Sequence, residues 1–347
     1  MMNAIILKQL NEENKKSNLL SEIVGGMILS RNVSSTKCAN YISGKAQRSS
    51  KIKRVERFYA HGYLDQDTSA KFMIDCIKGN YVAIMDRTNW KRGNNDINCL
   101  VVYGKSQHAC GMINLELLDN KGGCSNFADR KNVLDPVFHY TTERLQALLC
   151  DREFFSFEFV AYLLQRNIPF VIRIKQNLKF AQPLIRSLRC SSKVSRSVLV
   201  GEFKGKPLYL DIAGKKLKDE YLLVVSYKVH NPLKVYRERW HIECFFKCLK
   251  TAGFNVENTH MTKLDRLKTL LLLCGMAYLM CVFLGVLAHL RVEKIKFKRT
   301  LGCFQFSFFR YGLDWLTQFL FSTRADPSMR NPLQILELHQ RALSTVR

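Results

Sequence analysis

From Thr269 to Leu290 the chain runs TLLLLCGMAYLMCVFLGVLAHL without a formal charge, and no other stretch constrains the fold as strongly. An apolar helix of this length has two stable settings. It crosses a bilayer, or it lies in a core that encloses it on all sides. Basic residues flank both ends, Lys263, Arg266 and Lys268 before it and Arg291, Lys294 and Lys296 after it, so the asymmetry that orients a membrane span is missing. It is also the only such stretch, and an amphipathic segment directly precedes it. The sequence therefore predicts a central core helix, and 347 residues are enough to bury it. The rival reading is a membrane protein with Thr269–Leu290 as its span; solubility without detergent separates the two.

The charge balance points to the partner. Lys and Arg number 54 against 29 Asp and Glu, a formal charge of +25. A surplus of that size must lie on the surface and suits a polyanion, with nucleic acid ahead of an acidic membrane. Only 7 prolines and 18 glycines, with 47% hydrophobic residues, exclude a disordered or fibrous chain. The 12 cysteines are scattered singly, without a CxxC or a zinc-type C-x2-C…H pattern, and Met1–Leu7 lacks a basic segment leading into an apolar one. This reads as a cytosolic chain with reduced thiols and no visible secretory signal.

The order of elements predicts an α/β fold with a mixed sheet. Residues 1–75 are helical and basic, with the cluster Lys51, Lys53, Arg54 and Arg57 as candidate DNA contacts, although a solvated helical face has the same composition. Three strand-like runs follow at hairpin spacing: Tyr81–Met85, Ile97–Tyr103 and Gly111–Leu118. Next come a helical stretch over Phe127–Phe138, a strand over Leu145–Cys150, a helix over Phe159–Gln165 and a strand over Pro169–Ile174. Three strands, helix, strand, helix, strand is a layered domain, its first part spanning 76–177. Residues 178–231 are basic, turn-rich and strand-like, a β-rich insertion. A helix from Pro232 carrying through the apolar run completes the domain over 232–290. Residues 291–347 form a C-terminal helical region for dimerisation or DNA contact.

Two aspartates share a setting. Asp86 and Asp151 each end a short apolar run and each precede an arginine, and a carboxylate at a strand's carboxyl end faces the crevice where α/β proteins place their chemistry. They can meet only if their strands are neighbours; otherwise each simply ends a strand at the surface. A third acid lies in VYRERWHIECFFKCLK. At about 100° per residue, Tyr236, Arg239, Glu243 and Lys250 fall near 0°, 300°, 340° and 320°, one stripe about 60° wide. Val235, Ile242, Phe246 and Leu249 fall at about 220° to 280°, a docking face beside it. An i, i+4 ion pair explains Arg239 and Glu243 alone and leaves Tyr236 and Lys250 without a reason. His241 lies off the stripe and reads as a surface or packing residue; Glu153 is a second-rank candidate and Asp119 a decoy.

Three carboxylates without a His or Cys shell select hard cations, Mg²⁺ with Mn²⁺ as the alternative. Two such ions can promote in-line phosphoryl displacement. Arg239 and Lys250 would hold the negative charge of DNA beside them, and the Tyr236 phenol can donate to a phosphate oxygen.

This set of residues resembles the insertion-sequence-four family of DDE transposases over roughly residues 51 to 316. The family's Y-x2-R-x3-E-x6-K signature is met by Tyr236, Arg239, Glu243 and Lys250, its first aspartate context by Asp86, Thr88 and Trp90, and its second by Asp151, Arg152, Glu153 and Phe154. The run SFFRYGLDWL at 307–316 is similar to its C-terminal element. The resemblance implies a ribonuclease-H-like mixed sheet with helices on both faces. It implies cut-and-paste transposition by nicking, hairpin formation, hairpin opening and strand transfer at terminal inverted repeats and target DNA. It also implies a homodimer holding two DNA ends in a bacterial, nucleoid-associated setting. Trp240 would stack on a distorted base. The insertion departs from a relative's pattern in having no Trp, so Tyr209, Tyr221 or Tyr227 would supply a platform there. The other reading from a different class is a catalytically inactive, DNA-binding relic.

Overall fold

The computed structural model describes residues 14–61, 64–92, 95–107, 109–120, 123–188, 192–218, 220–300 and 302–322. The apolar patch at Ala4–Leu10 and the chain after 322 lie outside them. Strands β1 (Tyr81–Arg92), β2 (Asn95–Ser106), β3 (Cys110–Leu118), β4 (Leu145–Cys150) and β5 (Phe170–Arg173) form one side of an eight-stranded sheet. Its order is β3-β2-β1-β4-β5, continued by β8 (Tyr221–Tyr227), β7 (Lys206–Lys216) and β6 (Lys193–Phe203). Strands β1 to β3 pair antiparallel, and β1, β4 and β5 run parallel. This is the ribonuclease-H-like arrangement. Among the described residues, the stretch expected to be a β-rich insertion adds to the central sheet: β8 pairs antiparallel with β5, so β6 to β8 extend it.

The first strand is longer than the apolar run Tyr81–Met85 suggests. Its parallel pairing with β4 ends at Met85↔Cys150, while its antiparallel pairing with β2 continues to Arg92↔Asn95. Beyond Asp86 the strand is a hairpin arm, where only every second residue needs to be apolar.

Both faces of the sheet are covered, which is why β4 and β5 read as unbroken apolar runs. On one face the pleat sends Val82, Ile84, Tyr103, Ala147, Leu149, Val171 and Val224 into a core shared with α1 (Asn14–Ser30), α2 (Arg48–Ala60), α8 (Leu264–Arg291) and α9 (Phe308–Ser322). On the other face Ala83, Met85, Leu148, Cys150, Phe170 and Ile172 pack against α4 (Phe127–Thr141) and α5 (Phe157–Gln165). Helix α3 (Gln66–Cys76) closes the β3 edge, with Gln66 Nε2 donating to the Leu115 carbonyl at 2.8 Å, the kind of cover an exposed strand edge requires. At the opposite edge β6 is irregular, with register shifts at Ser195/Val198 and Leu199/Gly201, and such bulges discourage edge pairing.

Helix α8 is the apolar run in place. Of its most hydrophobic window 89% is buried inside the protein, as expected for a core helix. It runs against β3 and crosses α9 so closely that Gly285 and Gly312 face each other's backbone. The predicted continuous helix from Pro232 is broken instead. Helix α6 (Pro232–Tyr236), a 3-10 turn (Arg237–Arg239), α7 (Trp240–Lys247) and a π turn (Cys248–Ala252) are followed by a link to α8 that holds only a short 3-10 turn at Val256–Asn258. Gly253 ends the π turn, and Asn255 with φ of 54° in the left-handed region helps turn the chain.

A Cβ on Gly312 would overlap the Cys281 carbonyl oxygen, far inside any van der Waals contact distance. Gly312→Ala is therefore expected to lower stability by about 1–3 kcal/mol or more, read as an earlier urea midpoint with an unchanged slope.

Candidate active site

The pleat places the acids. Asp86 follows Val82 and Ile84 at spacing two, and Asp151 follows Ala147 and Leu149 in the same way, so both carboxylates face the side covered by α6 and α7,. Their strands are direct parallel neighbours, and each aspartate stands one residue beyond the last parallel pair, Met85↔Cys150. The same spacing gives the D-x-T-x-W context a physical sense. Thr88 and Trp90 continue the face of Asp86 and are both buried, at 7% exposure each.

Helix α7 supplies the third acid. Ile242 and Phe245 are fully buried and Leu249 nearly so. The docking face therefore centres on Phe245 rather than on the half-buried Phe246, because the 3-10 turn before α7 shifts the phase of an ideal helix. Phe245 packs on Tyr103 of β2 at 5.3 Å and edge-on to Tyr278 of α8 at 4.8 Å between ring centroids. That anchoring aims Arg239 and Glu243 at the strand ends. Arg239 Nη1 donates to Asp86 Oδ2 at 2.7 Å, and its Nη2 donates to Glu243 Oε1. Tyr236 Oη donates to Asp151 Oδ1 at 3.2 Å, and the Arg239 guanidinium lies 5.9 Å from the Tyr236 ring. Tyr236 and Arg239 of the signature thus engage all three predicted acids, whereas Lys250 does not.

Electrostatics there are tense. Burial raises the Asp86 carboxyl to about 6, against the opposing pull of the Arg87 N–H and Arg239, with Asp151 and Glu153 adding repulsion. Burial, followed by the charge of Asp151, pushes the Tyr236 phenol upward, so it stays a donor. Burial works against the Arg239 cation, but Tyr236, Asp86, Asp151 and Glu243 more than offset it and raise its pKa.

Two arginines hold the loop after Asp151: Arg87, which the sequence marks only as the residue after Asp86, and Arg130, which it does not single out. Arg87 pairs with Glu153 at 3.3 Å and donates to Asn98 Oδ1 at 3.0 Å. The buried Arg130 donates to the carbonyls of Phe154, at 3.1 Å, and Glu153, at 3.3 Å. Glu153 is thereby engaged with Arg87, beside the site.

Other candidates fall elsewhere. Lys250 sits in the π turn, donating to the Asn89 carbonyl at 2.7 Å and pairing with Glu257 at 3.3 Å. It therefore stands along the β1 arm rather than against Glu243. Trp240 is 64% exposed and Tyr209 52%, whereas Tyr221 and Tyr227 are half-buried. His241 bonds Glu238 at 3.2 Å. Asp119 is exposed beyond β3, two strand positions or about 10 Å from β1. Lys53, Arg54 and Arg57 are exposed on α2 and Lys51 is half-buried. No hydrogen bond among the described residues joins these four to the carboxylates.

A divalent cation suits this donor set. The ligands on offer are all oxygens, and a buried carboxyl raised to about 6 lacks sufficient positive charge. Among the described residues no group of three acidic side chains is closely enough gathered to hold an ion, because Arg239 stands between Asp86 and Glu243.

The model of the transposase DDE domain family matches residues 78–280, more than half the chain and a span that includes all three acids. The chain belongs to this family. Such transposases generally act on DNA with divalent metal ions. No curated protein matches this transposase. Among solved structures, endonuclease V of Bacillus subtilis aligns at 9% identity over 59% of this chain and 95% of its own, with a TM-score of 0.26, too low to bear on fold or site.

Because the folded chain holds the Asp86 proton more tightly than the unfolded chain, metal-free stability should fall as pH rises from about 4 to about 6,. A shift from 3.8 to about 6 at a side chain only 16% exposed corresponds to about 3 kcal/mol. Asp86→Asn should accordingly raise the metal-free thermal midpoint at neutral pH, and the gain should vanish towards pH 4. Differential scanning calorimetry across that range checks it.

Proposed function

We propose that this transposase is of the insertion-sequence-four type and performs cut-and-paste transposition of an insertion sequence at terminal inverted repeats. The observation that carries the reading is the meeting of Tyr236, Arg239 and Glu243 with Asp86 and Asp151 at the ends of two neighbouring parallel strands. The residues came from three separate segments matched to the family's pattern by sequence, and the fold gathers them on one face.

In this reading Asp86, Asp151 and Glu243 hold two Mg²⁺ ions, with Mn²⁺ able to substitute. When bound, the ions supply Lewis-acid polarisation of the scissile phosphate and a low-cost route to hydroxide at neutral pH. The chain's own residues do the rest. Arg239 presents a planar fork to a phosphate oxygen pair, and the protonated Tyr236 phenol donates a further hydrogen bond. Lys250, pinned to the Asn89 carbonyl, marks the path of the strand along the β1 arm. Trp240, exposed beside Arg239, offers a stacking surface for an unpaired base during hairpin formation, and Tyr209 a second one from the insertion. Lys51, Lys53, Arg54 and Arg57 would contact DNA outside the catalytic crevice. The formal +25 supplies long-range attraction and implies a steep loss of affinity with salt. One active site performs every step on its DNA end, so two copies would join two ends in a homodimer, working in the cytoplasm at the nucleoid.

With labelled DNA from the flanks of the coding region and Mg²⁺, wild-type protein should yield a nick and a hairpin-sized product on a denaturing gel. EDTA should abolish both, and Glu243→Gln, Asp86→Asn and Asp151→Asn should each lower the rate by about a thousandfold or more. Binding without cleavage in either metal would identify an inactive relic instead.

A further inference from the structure

Arg239 occupies the position where positive charge is most needed. Its guanidinium is the one cation joining two of the three acids among the described residues, bonded to Asp86 at 2.7 Å and to Glu243. The side chain is only 16% exposed, and Lys250 is committed to Asn89 and Glu257. The third acid, Asp151, is bonded by the Tyr236 phenol. Each carboxylate therefore spends at least one oxygen on an N–H or O–H donor.

Resting on the metal-dependent reading above, we propose that Arg239 is the resident cation of the empty-handed enzyme, and that DNA phosphate draws it off the carboxylates so that divalent metal takes its place. A guanidinium offers the same parallel pair of N–H groups to carboxylate and to phosphate, so the two compete for it. The side chain springs from the junction between the 3-10 turn and α7, next to the exposed Arg237 and Trp240, on the open side that DNA would approach. Movement of this one side chain uncovers Asp86 and Glu243 together. Exchange makes the two ligands cooperative: phosphate lowers the cost of metal entry, and by reciprocity metal releases Arg239 for phosphate. Metal would then be held weakly until DNA is in place, which limits stray hydrolysis by an enzyme with an open crevice. Arg239 acts here as a positioning residue that sets when the acids are free.

The test is Mn²⁺ binding followed by the electron paramagnetic resonance of the free ion, at about pH 8 so that Asp86, at about 6, is ionised,. Wild type, Arg239→Gln, Arg239→Lys and Arg239→Gln combined with Asp86→Asn are compared, each with and without a short mixed-sequence duplex, and each checked for folding by circular dichroism. Without DNA, Arg239→Gln should bind Mn²⁺ on the order of tenfold to a hundredfold more tightly than wild type, since a competing unit charge is gone. Arg239→Lys should remain close to wild type, and the double variant should lose the gain, which assigns it to this site. The duplex should tighten Mn²⁺ binding to wild type far more than to Arg239→Gln. Equal or weaker Mn²⁺ binding by a folded Arg239→Gln overturns the exchange. The functional reading fails separately, by absence of metal-dependent nicking in the wild type, whatever Arg239→Gln does.

Discussion

A helix of 28 residues with an apolar surface on nearly every side is stable in water only if the rest of the chain encloses it, and the organisation of this transposase follows from that requirement. The sheet alone covers one side of α8. The remaining sides are closed by α1 and α2 from the N-terminal region and by α9 from the C-terminal region. The first and last helices among the described residues therefore share the core that supports the catalytic sheet. Arg31, just after α1, pairs with Asp314 of α9 at 2.5 Å, tying the two closing elements to each other.

The same enclosure aims the chemistry. Tyr278 of α8 touches Phe245 of α7, Tyr103 of β2 and Phe309 of α9, and its hydroxyl lies 3.2 Å from that of Tyr103. One aromatic cluster thus links the helix bearing Glu243 to the sheet bearing Asp86 and to the C-terminal element. The conspicuous SFFRYGLDWL run is accounted for by packing: Phe309 stacks on Tyr278, Gly312 permits the close helix crossing, and Asp314 holds Arg31. Aromatic contacts of this kind have defined geometry, which suits a helix whose job is to hold two side chains against two strand ends.

Much of this was legible in the sequence because the physics was local. Strand pleat, apolar periodicity and the residues that end each run pointed to the first five strands, the buried helix and the three candidate acids that the fold joins to Tyr236 and Arg239. What was not legible depended on tertiary pairing or on departures from ideal geometry. The extension of β1 past Asp86 is set by β2, not by its own composition. The tightening to a 3-10 turn after Tyr236 and the π turn at Lys250 move residues off an ideal projection by fractions of a turn; the first exchanged Phe246 for Phe245 and the second separated Lys250 from Glu243. Arg130 looks like any other arginine, and the role of Arg87 after Asp86 is not visible, until the fold brings Glu153 and the Phe154 carbonyl beside them. The insertion could be read as strands, but its attachment to β5 could not, since edge pairing carries no local signal.

Asp86 and Asp151 stand at a fork, the point where β1 leaves β4 and goes on with β2 alone. Neighbouring strands are rotated by about 20–25°, so strands that stop pairing diverge at an angle fixed by the twist of the whole sheet. The aperture between the two aspartates is therefore a property of that twist and is not left to a flexible loop. The insertion strands, by widening the same sheet from five strands to eight, stiffen the frame from which the aperture is measured.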